Sequence, residues 1–318
     1  MMIYTNFKLP GNESDQVFLD NFLPNKNNCR RLIRSRKEIS ALLVSNPSTK
    51  TLFFLLAMKV FGFISYKVFV FDLILKYPQT FFERLIAKVK GVAISAIDFI
   101  FVIHKDTQGY EKFYGLNPQR FIYIPFKANN FDFCAQLDAK EGDYIVALGA
   151  SQRDYRTLVE AAKLIDAQVV IVCSDENAKN NNADLGDGSY PPNLTRVKDF
   201  VDSKRWYQYL AESKFVVVPI RGAAIQPAGI SVYLEAMMVK KAVIVSEGAS
   251  TNFILQNELN AMTVPAGDAK KLAFAINKLN NDSQLRDSIA QAGYEYARSL
   301  GNDLDLRTRI YKEIRSRV

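Results

Sequence analysis

Short apolar runs alternate along this chain with longer stretches in which apolar side chains recur every three or four residues. The short runs are typical of buried strands, and the longer stretches are typical of helices that pack one face against a sheet. Strands and helices that alternate in this order favour a parallel α/β sheet. The predicted strands are Ala41–Val44, Tyr66–Phe71, Phe99–Ile103, Phe121–Ile124, Tyr144–Leu148, Val169–Cys173, Phe215–Pro219 and Ala242–Ser246.

The helical stretches lie between these strands and after the last of them. The residues up to Lys37 give no readable pattern, and Glu176–Pro192 is rich in Asn, Gly, Asp and Pro, which predicts a mobile surface loop. The predicted helices are Thr49–Phe61, Phe81–Val89, Thr107–Tyr114, Tyr155–Ile165 with Asp154 as its N-cap, Arg205–Ala211, Asp268–Leu279, Gln284–Leu300 and Leu304–Val318.

The alternation lapses between Asn129 and Gly142, where polar residues accumulate. A length of 318 residues is typical of two domains, so we place the boundary in this stretch. The first domain then spans residues 1–138 and the second residues 139–300. We expect the basic segment 301–318 to pack back on the first domain.

The amino-acid composition limits the kinds of molecule that this protein is expected to bind. The chain carries 41 Lys and Arg against 33 Asp and Glu, and this net charge of +8 favours an anionic partner or serves solubility alone. Nucleic acid is disfavoured, because the chain lacks both an aromatic-basic RNA signature and a helix-turn-helix pattern. The three cysteines lie far apart, and no His, Cys and Asp residues have the spacing of metal ligands. We therefore expect no metal site and a reducing compartment.

The longest apolar stretch, Leu52–Val70, is interrupted by Lys59, Gly62 and Lys67, which fits a buried helix followed by a strand better than a membrane span. The N-terminus lacks the pattern of a signal peptide, so we expect a cytoplasmic protein. The basic run 26–37 and the amphipathic stretch Phe81–Lys90 suit peripheral contact with an anionic membrane at its inner face. Solvated helix faces are the alternative interpretation of both.

The segment Pro219–Ser246 carries the clearest chemistry. Its loop holds Gly222 and Gly229 and opens a helix with one carboxylate, Glu235, in an apolar setting. Backbone N–H groups at the start of such a helix suit a phosphate, and a carboxylate deeper in it can accept hydrogen bonds from ribose hydroxyls. A charge in this setting needs a partner, so we predict that Glu235 contacts a ligand.

The turn that follows Tyr144–Leu148 is a second phosphate candidate. Gly149 and Ser151 present backbone N–H groups between a strand and a helix. Arg153 can pair with a diphosphate in bidentate fashion, and a surface arginine is the alternative interpretation. His104, the only histidine, and Asp72 each follow a predicted strand directly, at the sheet edge where ligands bind; structural roles are the alternative for both.

Three stretches of the second half together resemble the C-terminal domain of family 4 glycosyltransferases, which have the GT-B fold. They are IVALGASQRDYRTLVEAAKLIDAQVVIVCSD, AGISVYLEAMMVKKAVIVSEG and VPAGDAKKLAFAINKLNND, and the resemblance covers Asp143–Ala297. It implies two Rossmann-type, doubly wound α/β domains facing across a cleft, with the acceptor on the first and the donor on the second. It also implies a retaining transferase that takes a UDP- or GDP-linked sugar as substrate and uses no metal or other cofactor.

The resemblance also assigns roles to residues. Glu235 matches the second glutamate of the family's paired motif, which holds the ribose, and Arg153 looks like the residue that neutralises the diphosphate. Gly229, Ile230 and Ser231 fall where the family's helix approaches phosphate and sugar, and Asp199 and Phe200 fall where it reads the base. Pro227 occupies the position of the first glutamate, so Gln226 becomes its counterpart. Ala150 replaces a usual arginine, and Arg221 is the candidate second cation.

The sequence thus predicts a glycosyltransferase that moves a sugar to a hydroxyl of a glycan or lipid-linked acceptor in polysaccharide or glycolipid synthesis. His104 would orient the transferred sugar. The missing first glutamate leaves open a non-catalytic member that binds a nucleotide sugar or pairs with an active partner. An epimerase on the same fold also stays open, although a single histidine argues against it.

Overall fold

The computed structural model describes residues 1–11, 13–19 and 26–318, and the side chains of residues 13 and 26 lie outside that description. The chain divides into two compact units. Unit 1 comprises Met1–Pro125 and Leu304–Val318, and unit 2 comprises Phe126–Asp303. Each unit is built on a parallel sheet, as the alternation of strands and helices predicts.

In unit 1, the described residues form a six-stranded sheet in the order β2-β1-β3-β4-β5-β6, with every neighbouring pair parallel. Its strands are β1 (Met2–Thr5), β2 (Gln16–Phe18), β3 (Ile39–Ser45), β4 (Lys67–Phe71), β5 (Phe99–Val102) and β6 (Phe121–Tyr123). Its helices are α1 (Lys26–Arg34), α2 (Thr49–Val60), α3 (Phe81–Ile94), α4 (Gln108–Tyr114) and, from the far end of the chain, α12 (Asp303–Arg315).

In unit 2, the described residues form a second six-stranded parallel sheet, in the order β12-β11-β10-β7-β8-β9. Its strands are β7 (Tyr144–Leu148), β8 (Gln168–Val172), β9 (Leu194–Val197), β10 (Val216–Val218), β11 (Val243–Ser246) and β12 (Met262–Val264). Its helices are α5 (Phe131–Gln136), α6 (Tyr155–Ala162), α7 (Asp175–Asn180), α8 (Ser203–Ala211), α9 (Ile230–Met238), α10 (Ala269–Asn281) and α11 (Ser283–Ser299).

The strands β7, β10 and β11 form the centre of the second sheet, and their side chains are buried on both faces. Helices cover both faces of such a sheet, which is why these strands read as continuous apolar runs. Asp154 caps α6 as predicted, and its side chain accepts a hydrogen bond from the backbone N–H of Thr157 at 3.1 Å. None of the helices in the described ranges combines the length and apolar composition needed to span a bilayer.

The units divide at Pro125, earlier than the expected boundary after residue 138. The polar stretch that suggested a linker contains α5, and α5 packs against α9 of unit 2. The Asn130 amide donates to the hydroxyl of Tyr207 at 2.6 Å, and the Phe133 ring lies edge-on to the Tyr207 ring. The C-terminal segment Leu304–Val318 groups with unit 1.

Two other expectations differ from the structure. The predicted mobile loop Glu176–Pro192 begins inside α7, whose N-cap Ser174 accepts from the backbone N–H of Asn177 at 3.2 Å. The N-terminal region that gave no readable pattern supplies β1, β2 and α1. Strands β1 and β2 have only four and three residues, so they carry little periodic signal.

Candidate functional site

A pocket of about 250 Å³ lies in unit 2 at the carboxyl ends of β7, β8 and β9. Ligands of parallel α/β sheets bind outside this edge of the strands. The lining combines backbone, polar side chains and one aromatic ring, so it offers a ligand both hydrogen-bonding groups and a flat apolar surface. It consists of Gly149, Ala150, Ser151, Val172, Cys173, Ser174, Asn177, Asn181, Asp199, Val201 and Trp206.

The turn after β7 and the loop after β10 form one platform beside this pocket. The backbone N–H of Asp154 donates to the carbonyl of Pro219, and the N–H of Arg221 donates to the carbonyl of Gln152, both at 3.0 Å. The N–H of Ile220 donates to Ser246 Oγ at 3.0 Å. These bonds fix the two glycine-containing loops to each other and to the end of β11.

Arg153 lies beneath this platform and is only 2% exposed. Its Nε donates to the carbonyl of Leu148 at 3.1 Å, and its Nη1 donates to the carbonyl of Ser151 at 2.9 Å. A Cβ atom added at Gly149 would lie 2.9 Å from Nη2, and one at Gly229 would lie 3.5 Å from Nη1. The guanidinium therefore supports both glycine positions from below, and burial excludes the alternative of a surface arginine.

In the described part of the chain, no carboxylate balances the positive charge of Arg153. Among the described residues it forms no ion pair, and burial lowers the pKa of the guanidinium from its usual range. A buried cation without a counter-ion is costly, so an anion bound above the two glycines would lower that cost.

The N-terminus of α9 adds a second source of positive potential. Gly229 precedes the helix with φ +84°, and no side chain caps the first turn. The N–H groups of Ile230 and Ser231 therefore belong to a helix end without a capping side chain. A larger residue at 229 would be strained, because φ is positive and a Cβ there would lie 2.9 Å from both Ile220 Cδ1 and Val218 Cγ1, which would have to shift.

Glu235 is buried on α9, with 6% of its surface exposed. Burial raises the pKa of this carboxyl group, and hydrogen bonds from Asn129, Trp206 and Tyr207 and the charge of Lys127 oppose the rise. Trp206 Nε1 lies 3.4 Å from Glu235 Oε2, and the same indole lines the pocket. The structure therefore connects Glu235 to the pocket through the Trp206 side chain.

The remaining predicted residues of unit 2 lie around this centre. Asp199 lines the pocket, whereas the side chain of Phe200 is 83% exposed. Arg221 is half-buried in the platform loop. Burial alone would raise the pKa of Asp184, but hydrogen bonds from Gly186 and Arg156 lower it, and the charges of Arg156 and Arg221 add to this lowering. Gln226 is also half-buried and forms no side-chain hydrogen bond with the part of the chain that the structure describes.

His104 and Asp72 lie in unit 1, at the carboxyl ends of β5 and β4. The imidazole is 1% exposed and lies edge-on to the Tyr110 ring, with centroids 5.1 Å apart. Neither ring nitrogen has a hydrogen-bond partner among the described residues, and burial lowers the pKa of the imidazole to about 4. Burial likewise raises the pKa of the Asp72 carboxyl group.

Three polar residues of the pocket, Ser174, Asn177 and Asn181, were not predicted from the sequence. Ser174 directly follows the predicted strand Val169–Cys173, and Asn177 and Asn181 lie in the predicted loop Glu176–Pro192. The serine followed by two acidic residues is a helix N-terminus signal that could have revealed α7. Trp206, the only tryptophan of the chain, was also not predicted. In the residues that the structure covers, no His, Cys, Asp and Glu side chains cluster as metal ligands.

Residues 143–282 match the family described as glycosyl transferases group 1. The match contains the platform turn, the pocket, α9 and Glu235. Residues 143–282 therefore form a group 1 glycosyltransferase domain within unit 2. The chain is therefore a glycosyltransferase, as its sequence predicts. No curated protein matches the full sequence closely enough to add to this assignment.

Several solved structures resemble this glycosyltransferase over both of its units. Anabaena HepE in complex with UDP and glucose matches with a TM-score of 0.67 at 14% identity, over 90% of this chain and 80% of that one. Sucrose-phosphate synthase from Thermosynechococcus elongatus matches with a TM-score of 0.64 at 17% identity, over 97% and 85%. A glycosyltransferase from Rickettsia africae gives 0.63 at 16% identity, over 94% and 84%. These similarities confirm the predicted GT-B fold.

Proposed function

We propose that this glycosyltransferase moves a sugar from a nucleotide-diphosphate donor, UDP- or GDP-linked, to a hydroxyl group of an acceptor. One observation carries the proposal. The pocket at the carboxyl ends of β7, β8 and β9 has Trp206 as a wall, and Trp206 hydrogen-bonds the buried Glu235. HepE, which has a similar fold, binds UDP-glucose.

The geometry of unit 2 supports a division of roles along the donor. The base would occupy the pocket beside Asp199, and the ribose would lie towards Trp206 and Glu235. The diphosphate would then face the backbone N–H groups of Gly149 and Ser151 and the start of α9. Phe200, which projects outwards, would close over the base.

Catalysis would consist mainly of stabilising the departing diphosphate. The N–H groups of Gly229, Ile230 and Ser231 and the unpaired charge of Arg153 are fixed before the reaction, so they need not reorganise as charge develops. Arg221, on the same platform, would be the second cation. Gln226 would hydrogen-bond a hydroxyl of the sugar, since its side chain has no partner in the described structure.

His104 and Asp72 would act on the sugar or the acceptor. A neutral imidazole with one donor and one acceptor nitrogen suits a hydroxyl group, and both nitrogens lack partners among the described residues. Because the ring is buried, a ligand reaches it only after the adjoining chain moves. We further propose that the anomeric configuration is retained, that no metal takes part, and that the acceptor is a glycan or lipid-linked sugar in cytoplasmic polysaccharide or glycolipid synthesis.

Calorimetry with UDP, GDP, ADP and CDP, followed by a donor-turnover assay with the nucleotide sugars of each binder, tests the proposal. Glu235→Ala and Arg153→Ala should each reduce turnover at least about tenfold, because a hydrogen bond to a charged group contributes ~1.5–3 kcal/mol. Exposed Glu247→Ala and Arg298→Ala are matched controls and should leave turnover unchanged. Undiminished turnover in both site variants would contradict the proposal.

A specific observation favours a second candidate, a non-catalytic member that binds a nucleotide sugar. Pro227 stands where the resembled family has its first glutamate, and the neighbouring Gln226 carries no charge. Tight nucleotide binding without turnover, even with glycan and lipid extracts as acceptors, would support this candidate over the enzyme.

A further inference from the structure

The outward face of α3 in unit 1 is apolar, and the described residues leave it exposed. Six large apolar side chains on this helix are exposed, from 50% at Val89 to 77% at Phe81. At about 100° per residue, they fill an arc of roughly 140° around the helix. They are Phe81, Phe82, Leu85, Ile86, Val89 and Val92.

The opposite face of α3 attaches the helix to unit 1 through small residues. Ala87 and Gly91 are buried, and a Cβ at Gly91 would lie 1.8 Å from the backbone oxygen of Tyr114. The helix backbone therefore lies directly on the end of α4. This packing fixes the orientation of α3, so its large apolar side chains point away from the core of the unit.

The helix is also well formed at its N-terminus. Thr80 and Glu83 form a capping box, in which the Glu83 carboxylate accepts from the backbone N–H groups of Gln79 at 2.6 Å and Thr80 at 3.1 Å. The one acidic side chain of α3 is therefore turned towards the start of the helix and engaged there.

Cations flank the apolar arc on both sides. Arg84 and Lys88 follow one edge of it, and Lys90 lies beyond the other edge. Lys76 lies near Lys90, and the Lys88 ammonium group donates to the backbone oxygen of Lys112 at 3.2 Å. A wide apolar face bordered by cations is the pattern of a helix that lies in the interface of an anionic membrane.

We propose that this face, Phe81–Val92 of α3, is a membrane-docking surface that inserts its apolar side chains into an anionic bilayer. The cations at its borders contact lipid phosphates while the six apolar side chains enter the boundary of the acyl chains. The loop before α3 starts at Asp72, so the helix begins near the carboxyl edge of the first sheet. A bilayer docked there would present a lipid-linked acceptor to unit 1, and this last point rests on the proposed function.

Co-sedimentation of the full chain with vesicles tests the apolar part of the surface. Phosphatidylcholine vesicles with and without phosphatidylglycerol serve as probes, and only the anionic ones should bind the chain strongly. Phe82→Ser with Ile86→Ser should weaken binding at least about tenfold. Phe274→Ser is the matched control, since Phe274 of α10 is 71% exposed and Phe82 is 73% exposed, and it should bind as the unaltered chain does.

The contribution of the cations beside α3 is tested with a double variant and a matched control variant. Arg84→Gln with Lys88→Gln should weaken binding to anionic vesicles by roughly tenfold or more, at about 1 kcal/mol per cation near the surface. Lys270→Gln with Lys271→Gln removes two exposed cations of unit 2 and should have little effect. Rising salt should weaken the binding of the unaltered chain and reduce the difference between the two variants.

Equal binding to neutral and anionic vesicles, or no loss in the α3 variants, would overturn the proposal. A dimer in size-exclusion chromatography that Phe82→Ser with Ile86→Ser converts to a monomer, with vesicle binding unchanged, would overturn it in favour of a second copy of the chain. Nucleotide calorimetry on the same variants separates the two proposals. Lost vesicle binding with retained UDP binding supports the surface, whatever becomes of the donor reaction.

Discussion

Three buried ionisable side chains, Arg153, Glu235 and His104, define the chemistry at the scale of single residues. Burial lowers the pKa of Arg153 and His104 and raises the pKa of Glu235, so it disfavours the charged form of all three side chains. Natural proteins rarely bury such groups without a structural or functional gain. Measuring stability and ligand binding on the same variants therefore separates a structural role of each residue from a role in binding.

Replacing Arg153 by Met removes the buried charge while keeping most of the side-chain volume. We expect UDP affinity to fall about tenfold or more, because the anion loses a charge-assisted partner. Arg153→Lys keeps the positive charge but lacks the planar guanidinium that donates to the Leu148 and Ser151 carbonyls. Its UDP affinity should therefore be little better than that of Arg153→Met. Calorimetry and thermal unfolding measure the two effects. A lowered Tm with unchanged UDP affinity would make Arg153 a purely structural residue.

Replacing Glu235 by Gln removes a charge that folding disfavours. The folded-state pKa is raised, so this carboxyl group contributes most stability below its ordinary pKa of 4.5, and that contribution is lost as the pH rises through the folded-state value. The stability of Glu235→Gln relative to the unaltered chain should therefore increase from pH 4 to pH 8. UDP affinity should fall about tenfold at neutral pH. If the difference in unfolding free energy between Glu235→Gln and the unaltered chain did not change with pH, Glu235 would not carry a buried charge.

His104 should make the chain less stable in mild acid. Its folded-state pKa of about 4 lies below the ordinary 6.5, so the unfolded chain binds the proton first. Stability is then lost as the pH falls from 6.5 to about 4, by up to about 1.4 kcal/mol per pH unit. His104→Phe keeps the edge-on contact with Tyr110 and should remove this slope. Because the chain has a single histidine, its ring NMR signals can be followed directly, and a midpoint near 6.5 would refute the prediction.

At the scale of elements, the platform beside the pocket depends on glycines where strands meet helices. Gly229 and Gly188 both have positive φ, +84° and +86°. A Cβ at Gly229 would meet Ile220 and Val218, whereas one at Gly188 would meet nothing within 4 Å. The two positions therefore share the backbone cost of substitution and differ only in packing.

Alanine at each position separates these effects. Gly188→Ala should cost about 1 kcal/mol of unfolding free energy, and Gly229→Ala should cost clearly more and also weaken UDP binding. Denaturant unfolding and calorimetry give both quantities. Equal costs at the two positions would mean that the loop before α9 relaxes freely, and that it is not the fixed platform described above.

At the scale of the whole molecule, the pocket residues all belong to unit 2, whereas α12 belongs to unit 1. Arg309 of α12 donates to the carbonyl of Pro125 at 3.2 Å, and the Arg307 guanidinium lies 4.6 Å from the centre of the Phe7 ring. The side chains of Leu306, Ile310 and Ile314 are buried. The last helix therefore completes the unit that contains the beginning of the chain.

Ending the chain at Asp303 should destabilise unit 1 by several kcal/mol, because three buried apolar side chains each contribute ~1.5–3 kcal/mol. UDP binding should persist, since unit 2 keeps all its described pocket residues. Hydrogen exchange resolved by peptide, with calorimetry on the same sample, checks both parts. Uniform loss of protection in the two units would show that they unfold as one.

Elements whose signal is local can be predicted from the amino-acid sequence alone. Apolar runs such as VVIVC, the Asp154 cap and the glycine loop before Glu235 predicted the parallel α/β class and the main elements of unit 2, because strand burial, caps and positive φ need particular residues nearby. The roles of the predicted site residues stay predictions.

The way in which distant segments of the chain pack together is visible only in the three-dimensional structure. In the structure, Trp206 hydrogen-bonds Glu235, α5 belongs to unit 2 and α12 belongs to unit 1. Each of these placements depends on contacts between residues far apart in the chain. The tertiary structure also turns the apolar stripe of α3 outwards. Periodicity shows that a helix has an apolar face, but the close packing of Gly91 on Tyr114 determines which way that face points.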